Sequence, residues 1–137
     1  MVKLVVAYVA TGVVFLLLDG SWLALVGPRL YRPDLNALLA DKIRIGPAIA
    51  FYLLYVAGLG YFCVQPGLDD GWRKALGSGL VLGLVAYGAY DLTCHAVMRV
   101  WSLKVTLADL AWGGFASAVA SAAGVGITRA IAPQIGA

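Results

Sequence analysis

The first apolar run spans about Val2 to Val26, introduced by Lys3, and beyond that lysine it carries one charged side chain, Asp19, before it ends at Gly27 and Pro28. In hydrocarbon such a segment must satisfy its backbone amides internally, and a helix is the form that does so within one segment. The same pattern recurs at about 45–64, 73–95 and 106–131, with the charges gathered between the runs. The first run exceeds the roughly 7 to 15 apolar residues of a signal peptide and no small-x-small cleavage site follows it, so an uncut anchor is expected. Hydrophobic residues make up 62% of the 137 and charged residues 12%, and the mean hydropathy is +0.89, which excludes an ordinary soluble domain. That length holds about four spans of about 20 residues and no separate soluble domain. The expectation is therefore all-α: a four-transmembrane-helix bundle of two antiparallel hairpins, forming a single transmembrane domain over 1–137.

The connections refine this picture. Segment 28–44 carries Arg29, Arg32, Lys42 and Arg44 beside Leu35, Leu38 and Leu39, which share one helical face, and Pro33 and Asp34 suit a first turn. It reads as a short interfacial helix in the first loop, apolar side inward and basic side toward lipid phosphates. QPGLDD at 65–70 is rich in breakers and reads as a turn. Gly79 with Gly83, and Ala116 with Ala120 and Gly124, form small-residue faces that admit a close neighbour, and they would permit a homo-oligomer or docking into a larger membrane complex. Six basic residues lie on the loop side (Arg29, Arg32, Lys42, Arg44, Arg99, Lys104) against four on the terminal side (Lys3, Arg73, Lys74, Arg129), which places the loops in the cytoplasm and the termini outside. Charges so placed anchor to head groups of the lipid bilayer, and no nucleic-acid partner is expected.

Ionisable groups inside such spans are costly, and the segment 87–112, YGAYDLTCHAVMRVWSLKVTLADLAW, holds three: Asp91, His95 and Asp109. In an up-down bundle the end of the first span, the start of the second, the end of the third and the start of the fourth share one membrane side. Asp19, Asp91, His95 and Asp109 then converge there with Trp22, Tyr52, Tyr55, Tyr90 and Trp112. Tyr87, Asp91 and His95, spaced i, i+4 and i+8, fall on one stripe of the third helix. A faint repeat of the two hairpins about an axis along the membrane normal would make Asp19 and Asp91 face each other. Each group also has a purely structural reading. Asp109 follows Thr106 at capping-box spacing. Asp19 and Asp91, near helix C-termini where a negative charge is disfavoured, would pair with Arg29, Arg99, Lys104 or a tyrosine hydroxyl. His95 would be an interfacial group at a helix end.

Asp91 and His95 at i, i+4 lack the further spacing of a metal motif, so neither a metal nor a cofactor is expected. Cys63 and Cys94 fall at opposite ends of antiparallel spans, too far apart for a disulfide. No phosphate loop, nucleophile elbow or dinucleotide fingerprint is present.

LLLDGSWLALV in the first span, FYLLYVAGLGYF in the second, LVAYGAYDLT in the third and LKVTLADLAWG in the fourth together make the chain resemble the DUF2177 family of bacterial four-helix membrane proteins. The YDLT and DLAW pieces, in this order, are the most specific. The resemblance implies four transmembrane helices in the bacterial inner membrane and supplies no activity. It also implies Asn after YDLT, where this chain has Cys94, which makes His95 a feature of this member.

Three functions fit these residues. The first is binding or passage of a small polar or amphiphilic ligand at a pocket of Asp19, Asp91, Asp109 and His95 walled by Trp22, Tyr52, Tyr55, Tyr87, Tyr90 and Trp112. The second is a membrane enzyme acting on lipid or isoprenoid substrates, with an Asp as general acid or base and Arg29, Arg32 or Lys104 on a phosphate. The third is an accessory subunit of a larger membrane complex.

Overall fold

The computed structural model describes residues 2–35 and 44–131, except the side chains of 32 and 34. Its order is α1 (Val2–Leu25), α2 (Gly27–Leu35), α3 (Ile45–Leu59), a π-helical turn (Gly60–Val64), α4 (Gln65–Asp70), α5 (Trp72–Val97) and α6 (Leu103–Ile131). Four stretches are long and apolar enough to cross a membrane: Val2–Leu25, Ile45–Asp70, Trp72–Val97 and Leu103–Ile131. All are helical, as their composition requires.

The bundle is built around α6, whose most apolar stretch is 50% buried against 17% to 28% in the other three. Small residues make this possible: Gly113, Gly114, Ala116, Ser117, Ala120, Ser121 and Gly124 are all buried. A Cβ added at Gly79 would stand 2.6 Å from the Ser117 carbonyl oxygen, and one at Gly83 would run into the Gly113 carbonyl. Gly124 meets Thr11 of α1 in the same way. The small-residue faces thus bring α5 and α1 onto α6, so a second copy of the chain would have to use another surface.

QPGLDD is not a turn. Helix continues through it to Asp70, and the chain reverses at Gly71 alone, whose φ of 111° lies in the region that favours glycine. Pro66 explains the π-helical turn before it. Proline has no N–H and its ring collides with the carbonyl four residues back, so an α-helix would break. Here the turn widens, and the Gln65 N–H reaches the Gly60 carbonyl, five residues back. Gly60 also receives the Tyr8 ring, which a Cβ would approach to 2.6 Å.

Two helix starts differ from expectation. α2 begins at Gly27, directly after α1, with Pro28 in its first turn and Pro33 inside the helix. Leu30 and Leu35 are buried against Val105, with Trp22, Tyr31 and Trp101 packed around them, so α2 presses onto the loop-side end of the bundle. Leu38, Leu39 and Lys42 lie outside the described residues. α6 starts at Leu103, where the Ser102 hydroxyl accepts the Val105 N–H at 3.3 Å. Thr106 is therefore no cap. Its hydroxyl accepts the Trp101 indole N–H at 2.9 Å instead.

Candidate functional site: an aspartate and aromatic cavity at the loop side

The loop-side ends of α1, α3, α5 and α6, with α2 across them, enclose a partly open cavity of about 540 Å³. Asp19 enters it from α1, 7% exposed. Its carboxylate accepts the Tyr52 hydroxyl of α3 and, at 3.2 Å, the Trp112 indole N–H of α6. One carboxylate therefore ties three helices together.

Asp109 of α6 forms a second junction. It accepts the hydroxyl of Tyr31 on α2, and that hydroxyl in turn accepts the Trp22 indole N–H at 2.7 Å. Burial and the bond to the Asp109 carboxylate raise the Tyr31 phenol above its ordinary range, so Tyr31 stays protonated as a donor at neutral pH. The Trp22 and Trp112 rings stack between the two junctions.

Asp91 of α5 is fully buried, and neither of its carboxyl oxygens has a hydrogen-bond partner among the described residues. The Asp109 carboxyl is its electrostatic neighbour. Buried polar groups are normally paired, so this one stands out.

Of the residues singled out in the sequence, Asp19, Trp22, Tyr52, Tyr87, Tyr90, Asp109 and Trp112 line the cavity. Asp91, Tyr55 and His95 do not. The Tyr55 hydroxyl lies 2.6 Å from that of Ser117 in the core. His95 is exposed, with Nδ1 3.3 Å from the Thr106 hydroxyl. The stripe of Tyr87, Asp91 and His95 is thus divided among the cavity wall, the interior and the surface. Arg29 and Lys104 are exposed and do not line the cavity, and the Arg32 side chain is outside the described residues.

Asp19 and Asp91 are not mutual partners. Asp109 interacts electrostatically with each of them. Of the partners expected for Asp19, three cations or a tyrosine hydroxyl, it is the hydroxyl of Tyr52 that it accepts among the described residues, and an indole joins it. Tyr31, Phe51, Trp101 and Val105 also line the cavity and were not singled out from the sequence, and Leu35, expected on the apolar face of the interfacial helix, joins them. Tyr31 had a signal in its placement beside Leu30 in an amphipathic stretch, but nothing in that stretch marks which partner it meets. Among the described residues no three His, Cys, Asp or Glu side chains are arranged to hold a metal. Cys63 and Cys94 are free thiols.

Fold and site together define a multi-pass helical membrane protein with an acidic, aromatic cavity at one end of its spans. Residues 4–126 match the family described as "Predicted membrane protein (DUF2177)", and the chain belongs to that family. No curated protein and no solved structure matches it.

Proposed function

We propose that the protein binds a small polar or amphiphilic molecule in this cavity, just beneath one face of the bacterial cytoplasmic membrane, with the cavity on the cytoplasmic side and both termini outside. The observation that carries the reading is the cavity itself. Its volume of about 540 Å³ falls within the roughly 300–1,000 Å³ of small-molecule sites, and like them it has apolar walls and few convergent polar groups. Asp19 and Asp109 supply those groups, and the aromatic rings supply the walls. The orientation rests on the six basic residues of the loop side against four on the other.

The test is native mass spectrometry of the protein after gentle detergent extraction. Wild type is expected to carry a small molecule in stoichiometric amount. Ala86→Leu, which fills the cavity wall, is expected to lose it at unchanged thermal stability. A protein that carries no such mass, or an Ala86→Leu variant that keeps it, overturns the reading.

A further inference from the structure

We infer that the occupant of the cavity is an organic cation, an ammonium-type centre on an apolar body. The inference rests on the ligand-binding reading above and names its chemistry. Asp19 and Asp109 present carboxylates to the cavity, and none of the described residues that line it is Lys, Arg or His. A carboxylate accepts at about four lone-pair positions. Among the described residues, the donors that reach these two are Tyr52 and Trp112 for Asp19 and Tyr31 for Asp109.

Asp91, which does not itself line the cavity, adds a third carboxyl at this end of the bundle. It is fully buried, and neither of its oxygens has a hydrogen-bond partner among the described residues. A site with acceptors in excess is completed by a ligand that donates or carries positive charge. An anion would add to the same sign of field.

The walls fit the same chemistry. The π faces of aromatic rings attract cations, indole most strongly, and aromatic enclosures are the usual device for holding a quaternary ammonium. Trp22 and Trp112, stacked, border the cavity directly beside both carboxylates, and Tyr87 lines it from α5. A charged centre at Asp19 and Asp109 would leave its apolar body against Phe51 and the neighbouring wall.

The experiment compares three shape-related probes by equilibrium dialysis against the full-length protein in dodecyl maltoside, with protein-free micelles as blank. The probes are tetraphenylphosphonium, the anion tetraphenylborate and neutral triphenylphosphine oxide. Tetraphenylphosphonium is expected to bind saturably and to be weakened about tenfold or more by Asp19→Asn and by Asp109→Asn, since each removes one charged partner. Variants are compared only where the unfolding midpoint matches wild type. Should either Asn variant fail to fold, Ala86→Leu takes its place and is expected to abolish cation binding by filling the cavity. Absence of saturable tetraphenylphosphonium binding overturns the assignment, as does binding that Asn variants of wild-type stability and Ala86→Leu leave unchanged. Saturable binding of the neutral or anionic probe in preference to the cation overturns it too, while leaving the ligand-binding reading in place. That reading falls separately, if the purified protein carries no bound small molecule.

Discussion

The indole rings of Trp22 and Trp112 are stacked with centroids 4.6 Å apart and planes 11° from parallel, which clasps the last turn of α1 to the third turn of α6. The stack holds two indole donors that serve different carboxylates. Trp112 donates to Asp19 directly, and Trp22 supports Asp109 through the Tyr31 hydroxyl.

Trp112→Phe keeps a ring in the stack and removes one donor to a buried carboxylate, at an expected loss of about 1 to 2 kcal/mol. Trp112→Ala removes the ring pair as well, adding about 0.5 to 1.5 kcal/mol. Reversible unfolding in mixed micelles measures both. Equal losses would mean that the stacked pair contributes nothing.

Tyr52→Phe and Tyr31→Phe each deprive one aspartate of a hydroxyl donor, and each is expected to cost about 1 to 3 kcal/mol. Tyr31 lies outside the spans and also carries a pH signature. Its phenol is raised from the usual 10.0 in the folded state, so its contribution is present below that value and lost as pH rises above it. Wild type should therefore lose stability above about pH 10 more steeply than Tyr31→Phe. Parallel pH profiles would contradict the placement of Tyr31 against Asp109.

Glycine contacts separate two groups of positions. A Cβ at Gly83 runs into the Gly113 carbonyl, and one at Gly113 runs into the Tyr87 ring. Gly83→Ala and Gly113→Ala should each destabilise by about 1 to 3 kcal/mol or more, through separation of α5 from α6. Gly20→Ala and Gly77→Ala meet nothing within 4 Å and should be neutral or stabilising by up to about 1 kcal/mol. Unfolding midpoints of the four variants test the helix packing directly.

Asp91→Asn is expected to raise stability, by about 1 to 3 kcal/mol, because it relieves a buried carboxyl that has no hydrogen-bond partner among the described residues. A fall in stability of similar size would show that Asp91 is instead held by the fold.

Much of this architecture was legible in the sequence because hydropathy and helix length are local properties. Asp19 and Asp109 could be brought to one end of the bundle simply by alternating the direction of the spans. Tyr31 and Trp101 could not be found that way, since their importance depends on how α2 and the α5–α6 connection fold back over the ends. Pro66 misled because its breaking tendency is absorbed by a widened turn, a tertiary accommodation beside Tyr8. The suggested facing of Asp19 and Asp91 assumed two equivalent hairpins. The small residues of α6 instead make it the central helix, and Asp109, which it carries, interacts electrostatically with both.

The central claim is one cavity shared by separate spans at one membrane face. In a Cys63→Ala, Cys94→Ser background, Leu23→Cys, Ala48→Cys and Ala86→Cys bring thiols to its lining from α1, α3 and α5. A membrane-impermeant methanethiosulfonate applied to sealed vesicles of known orientation should modify all three from the loop side and none from the terminal side. Modification of the three from opposite sides, or of none from either side, would contradict it.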